Sequence, residues 1–398
     1  MNSPENAENP LRKLLELSEL EAVAQGARFT PREIAQQPRV WLDTCGRVHA
    51  RRSELDAFLG EAGVFGANPP HLVLIGAGSS DWVGLLTASS FRECWTSDVS
   101  VWPSTDLMTQ RLAEVLSGSH YLFVYFSRSG ETAEAVTVLR RLQRELPSAH
   151  HLIVTCNQNG ELVRAAPAQR SLVVALDPAT NDRGLAMTSS FSSMALAALS
   201  IAHLHEGEVL GTGMQALASA GERVLSDTPR ALRRLAGLRH TKACFLGSGR
   251  LRAVAGEAAL KLLELTAGRV STFHESFLGV RHGPLAALDE HTLLLGFLSS
   301  ELSERAHELD LIEEVVGKRL AGHVVLVVAG EDARASALAN EVLELPELPL
   351  LPVAFRSLLA VLVAQLLALF ASIEQGLLPD SPSPNGAIQR VVSGLRQH

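Results

Sequence analysis

Short, nearly continuous apolar runs alternate along this chain with longer stretches in which apolar residues recur every three to four positions. The runs fall at residues 72–75, 99–102, 121–125, 151–155 and 171–176, each followed by a helical pattern. After a helix-rich stretch from 188 to about 239 the alternation restarts, with runs at 242–247, 291–298, 323–328 and 341–345. Runs without polar alternation are buried on both faces, so the pattern predicts an α/β fold of parallel sheets with helices on both sides. Residues 10–65 read instead as an amphipathic helical arm, with polar turns near Thr30-Pro31 and at Gly60. The expected organisation is an arm (1–65), a first domain (66–215), a second domain (216–376) and a carboxyl-terminal tail (377–398). The runs entering Gly76-Ala-Gly78 and Gly247-Ser-Gly249 occupy equivalent places, which predicts an internal duplication.

The third run is the most informative. It ends in Ser127-Arg128-Ser129-Gly130-Glu-Thr132, where a helix is expected to begin. A helix start presents unpaired N–H groups and the positive end of its dipole, so hydroxyls and a close-approach glycine there make an anion cradle. Ser79 and Ser80, after the first run, supply a second glycine turn with hydroxyls. No P-loop pattern ending in Gly-Lys-Ser/Thr occurs, which points away from nucleotides and towards a phosphorylated metabolite. The second half has no Ser-x-Ser-Gly-x-Thr after its own third run, so one phosphate site per chain is expected.

Composition narrows the picture. A net charge of -8 with scattered basic residues argues against nucleic-acid binding. Cys45, Cys94, Cys156 and Cys244 lie far apart without a C-x-x-C pair, which suits reduced, mostly buried thiols. The polar, acidic amino terminus lacks the order of a signal peptide, and the expected location is the cytoplasm. Residues 358–373 are almost wholly apolar, but they are shorter than the roughly 20 residues of a membrane span and contain Gln365. A buried core or subunit-interface helix is the reading, with no membrane partner.

Near the start of the second domain, offsets of four and seven place Glu257, Lys261 and Glu264 on one face of a predicted helix, with Leu260 and Leu263 in an adjoining apolar stripe. Facing a cleft, Glu264 has what a proton-shuttling base needs, with an ammonium beside it. A solvated, salt-bridged face fits the same spacing. Downstream, Gly283-Pro284 after His282 fixes a tight turn that holds the imidazole on a rigid loop. Thr188 and Ser189 follow Asn181-Asp182-Arg183-Gly184, and their hydroxyls either cap a helix or reach a sugar. The Gly76-x-Gly78 turn lacks the third glycine of a dinucleotide fingerprint. The pairs His203/His205 and His150/His151 have no third ligand at metal spacing, so neither metal nor cofactor is expected.

Taken together, the Gly-Ala-Gly-Ser-Ser turn, Ser-Arg-Ser-Gly-Glu-Thr, the Glu-x-x-x-Lys-x-x-Glu helix and the His-Gly-Pro turn resemble double sugar-isomerase (SIS) domain proteins, known from the isomerase half of glucosamine-6-phosphate synthase. The Asn181 segment, residues 259–268, Arg281-His-Gly-Pro and the tail from Pro379 look closest to the AgaS family, described as galactosamine-6-phosphate deaminase/isomerases or tagatose-6-phosphate ketose/aldose isomerases. The resemblance covers residues 65–398. It implies two tandem SIS domains with flavodoxin-like sheets.

By the resemblance, Ser80, Ser127, Ser129 and Thr132 bind the phosphate, Glu264 is the enolisation base, and His282 opens the sugar ring from a partner subunit. Lys261 and Glu257 line the same site, and residues 385–390, Arg390 included, close over the substrate. Position 128 is Arg where the synthase has Gln, so Arg128 is either an extra phosphate contact or solvent-facing. Glu264 and His282 also stand two residues farther apart than in the synthase. The implied activity is conversion of galactosamine 6-phosphate to tagatose 6-phosphate and ammonia by a homodimer or dimer of dimers. Isomerisation of an unaminated sugar phosphate and non-catalytic sensing are the alternatives.

Overall fold

The computed structural model describes residues 9–116, 120–386, 388 and 390. Two parallel five-stranded sheets organise them. The first consists of β1 (His71–Gly76), β2 (Val99–Pro103), β3 (Tyr121–Ser127), β4 (His150–Thr155) and β5 (Ser171–Ala175), in the order β2-β1-β3-β4-β5. The second consists of β6 (Lys242–Gly247), β7 (Ser271–Glu275), β8 (Thr292–Phe297), β9 (His323–Ala329) and β10 (Glu341–Leu345), in the order β7-β6-β8-β9-β10. Counted from its own first strand, each sheet has the same 2-1-3-4-5 order, so the chain is α/β with two tandem flavodoxin-like sheets and a helical amino-terminal arm.

Chain connectivity and compactness do not coincide. One unit gathers the described residues of 39–182, 189–214 and 389–398 around the first sheet; the other gathers those of 1–38, 183–188 and 215–388 around the second. The helical arm is therefore shared out between the two units.

In the first-sheet unit, β3 is buried along its whole length. Phe123 and Tyr125 pack with Ile153 of β4 and with Val138, Leu139 and Leu142 of the following helix, Ala133–Glu145. Each such side chain contributes about 1.5–3 kcal/mol by leaving water. In the second-sheet unit, Cys244, Leu246, Leu294 and Leu326 pack against Leu311, Ile312 and Val315 of the helix Leu302–Gly317.

Equivalent glycines turn both first strands into their helices. A Cβ on Gly76 would overlap the Ser80 carbonyl group, and one on Gly247 would overlap that of Leu251. Two residues on, Gly78 and Gly249 have φ of 57° and 53°, a region that L side chains rarely enter.

The apolar stretch predicted as a core helix is Val353–Glu374. It is long and apolar enough to cross a membrane by length and composition, yet 89% of its most apolar window is buried inside the protein. Gln365 is accommodated by polar partners: its Oε1 accepts from Gln37 Nε2 at 2.6 Å, and its Nε2 donates to the Thr188 carbonyl at 3.2 Å. Asp380, in the Pro379 tail, is equally fixed. Its carboxylate accepts from the backbone N–H groups of Arg28, Phe29 and Thr30, capping the helix Thr30–Ala35.

One strand has no counterpart in the apolar-run pattern. β7 pairs in parallel with β6 at the sheet edge, and its Ser-Thr-Phe-His-Glu sequence is half-buried rather than apolar.

Candidate functional site

The first-sheet unit carries the predicted anion cradle at the carboxyl ends of adjacent strands. β1 and β3 pair in register, Ile75 beside Tyr125, so the loops that follow them leave the sheet side by side at its topological switch point. Ser127, Arg128 and Ser129 are all buried. The Ser127 hydroxyl accepts from Gly130 N–H at 3.1 Å and the Ser129 hydroxyl from Glu131 N–H at 3.2 Å, each keeping its own proton to donate. Thr132 is the N-cap of the Ala133–Glu145 helix without a side-chain cap bond, so the helix does not use its hydroxyl. Ser79 and Ser80, also buried, open the helix Ser79–Cys94.

The loop is held closed from behind. Gly130 has φ 63°, and a Cβ on it would stand 3.1 Å from the Gly160 Cα. Asn157 Nδ2 donates to the Ser129 carbonyl at 2.7 Å, and Leu162 N–H donates to that of Gly130 at 2.8 Å. These contacts fix the loop from the β4 side.

Arg128 is not solvent-facing. Its guanidinium donates to the Arg390 carbonyl at 2.7 Å, and Arg390 in turn donates to Asn181 Oδ1. The tail thus reaches the loop through the Arg390 carbonyl. Cys156, next to both, is pushed up to about 12, chiefly by burial. Residues 387, 389 and 391–398 of the predicted covering tail lie outside the described residues.

Asp81 follows Ser80 in the same turn and was not singled out as a site residue from sequence. Its Oδ1 is buried without a hydrogen-bond partner, and burial, with Asp106 nearby, raises the carboxyl from 3.8 to about 6. Near neutrality it carries its charge at a cost.

Asp182 caps the helix Ser189–Ala202. Its carboxylate accepts from Ser189 N–H at 3.1 Å, Ser190 N–H at 2.9 Å and the Ser190 hydroxyl at 2.5 Å. Thr188 itself is fully buried.

The second-sheet unit carries the acid-base helix, Leu251–Leu265. Its charged face is buried at Glu257 and Lys261 and reaches solvent at Glu264. Glu257 and Lys261 are 1% and 0% exposed, whereas the Glu264 side chain keeps 33% of its surface in solvent. Lys261 Nζ donates to Glu264 Oε2 and lies 3.7 Å from Glu257 Oε1. A buried ammonium is tolerated only when paired, and a carboxylate on each side, buried Glu257 and partly exposed Glu264, supplies the pairing. The predicted apolar stripe differs: Leu263 is exposed and Leu260 half-buried, while Leu262 and Leu265 are buried. The helix turns its acidic and basic residues inward because Glu257 and Lys261 occupy positions continuous with the buried leucines.

His282 ends a short 3-10 turn, Gly279–Arg281, and its imidazole is exposed. The turn is fixed as the Gly-Pro signal predicts: Gly283 has φ 124°, Pro284 opens the next turn, and Arg281 pairs with Glu314 at 2.8 Å. Upstream, Glu275 at the end of β7 pairs with Arg252 of the acid-base helix at 2.9 Å.

A family model described as the SIS domain matches residues 67–204. The chain is 38% identical to an AgaS protein of Streptomyces coelicolor over 94% of this chain and 97% of that one. It is 31% identical to the D-galactosamine-6-phosphate deaminase AgaS of Escherichia coli, over 95% and 97% respectively. Among solved structures, the tagatose-6-phosphate ketose/aldose isomerase from Escherichia coli matches with a TM-score of 0.81 and 29% identity, over 88% of this chain and 95% of that one. With the SIS motifs in place and near-complete coverage of both partners, the chain belongs to the AgaS family of SIS-domain proteins.

Proposed function

We propose that this protein is a deaminating isomerase that converts galactosamine 6-phosphate to tagatose 6-phosphate and ammonia. The observation that carries the reading is the buried Glu257–Lys261 pair joined to a partly exposed Glu264, because a sensor needs an anion cradle but no proton-transfer device. The names of relatives that align over nearly the whole chain point the same way.

In this reading Ser80, Ser127, Ser129 and Thr132 hold the 6-phosphate, with Ser79 and Arg128 beside them and Arg390 closing from the tail. Thr188 belongs to the sugar-binding shell. His282, supplied by a neighbouring subunit of a homodimer or dimer of dimers, assists ring opening. Glu264 removes the C2 proton and returns it to C1 through an enolamine, while Lys261 stabilises the charge developing on oxygen. The resulting C2 imine takes up water and releases ammonia. The functional modules are residues 66–215 and 216–376 with the tail 377–398, and the enzyme works in the cytoplasm.

A second reading is favoured by one relative's name: aldose–ketose isomerisation of an unaminated sugar phosphate by the same carboxylate. Ammonia release and ketose formation, assayed with galactosamine, glucosamine and tagatose 6-phosphates, separate the two. Ammonia from galactosamine 6-phosphate supports deamination; ketose–aldose conversion of tagatose 6-phosphate without ammonia from either amino sugar rejects it.

A further inference from the structure

Far from the phosphate loop, the opposite end of the Ser79–Cys94 helix meets the end of the Ser189–Ala202 helix within the first-sheet unit. There Cys94, His203 and Glu206 bring one ligand atom each within 4.8 Å of one another. We propose that these three side chains form a Zn²⁺ site, completed by water, that clamps the two helix ends together.

The geometry is close to what a metal requires. Cys94 Sγ lies 3.4 Å from His203 Nδ1, and the same nitrogen lies 2.9 Å from Glu206 Oε1. With Zn–S of about 2.3 Å and Zn–N of about 2.0 Å, tetrahedral ligands stand about 3.5 Å apart. The sulfur–nitrogen separation already fits. The carboxylate must move outward by a few tenths of an ångström, about the give of an exposed side chain.

The scaffold is pre-formed. Trp95 Nε1 donates to the Ala202 carbonyl at 3.1 Å, tying together the residues adjacent to Cys94 and His203. Trp95 is buried against Phe91. The Glu206 N–H donates to the His203 carbonyl at 2.9 Å, which sets the two ligands one turn apart.

Charge also favours a dication. On binding, Zn²⁺ displaces the thiol proton to solvent, and thiolate plus carboxylate neutralise the ion. Thiolate, imidazole and carboxylate form a donor set suited to zinc, with an open fourth position. Sequence spacing alone gave His203 no third ligand because Cys94 lies 109 positions away.

The test titrates chelator-treated full-length protein with Co²⁺, whose thiolate complexes show a near-ultraviolet charge-transfer band. One equivalent of Co²⁺ gives the band in the wild type, Zn²⁺ abolishes it, Cys94→Ser lacks it, and Glu206→Gln weakens Co²⁺ binding at least tenfold. Absence of the band from the wild type, or its persistence in Cys94→Ser, overturns the proposal. So does unchanged Co²⁺ affinity in Glu206→Gln, a surface substitution that does not depend on Cys94→Ser folding.

Discussion

Asp81→Asn isolates the cost of the carboxylate in the first turn of the Ser79–Cys94 helix. Burial raises the Asp81 carboxyl from 3.8 to about 6, and Asp106 adds to the effect. Because the folded-state value lies above the unfolded one, the native chain holds this proton more tightly. The resulting stabilisation is complete below 3.8 and is lost as pH rises through about 6. A rise of about two pKa units corresponds to about 3 kcal/mol at full effect, reduced to about 1–2 kcal/mol for a half-buried side chain and the accessible pH range. Asn removes the titration while keeping the shape. Urea unfolding of both proteins between about pH 4.5 and 8 measures the difference, and any constant packing change cancels along the pH axis. The wild type loses about 1–2 kcal/mol relative to Asp81→Asn across that range, with the gap flat above about pH 7. A pH-independent gap, or a wild type that gains on the variant as pH rises, refutes the assigned environment.

Gly130→Ala places a side chain at φ 63° and 3.1 Å from the Gly160 Cα, so it destabilises by about 1–2 kcal/mol in urea unfolding and weakens competition by inorganic phosphate. Gln365→Leu removes the donor to the Thr188 carbonyl and the acceptor for Gln37, lowering stability by about 1–3 kcal/mol with an unchanged denaturant slope.

The strands that build the sheets were legible because parallel strands buried on both faces leave unbroken apolar runs, as at Tyr121–Ser127. The serine loop was legible because hydroxyls and glycine fall directly after such a run. β7 was not, since a half-buried edge strand with alternating Thr, Phe and His carries no apolar run. Burial of Glu257 and Lys261 was equally hidden. A charged i, i+4 pair has the same spacing on a wet face as on a packed one, and only tertiary contacts decide between them. Long-range partners such as Asp380 with Thr30, or Arg390 with Arg128, join segments hundreds of residues apart and leave no local signal.

The most direct measurement of the central claim is ammonia release from galactosamine 6-phosphate by Glu264→Gln, set beside substrate binding by the same variant. Turnover falls by about 10²–10⁴ while the sugar phosphate still binds, because the amide fills the carboxylate's place but accepts no proton. Turnover at the wild-type rate would contradict Glu264 as the base.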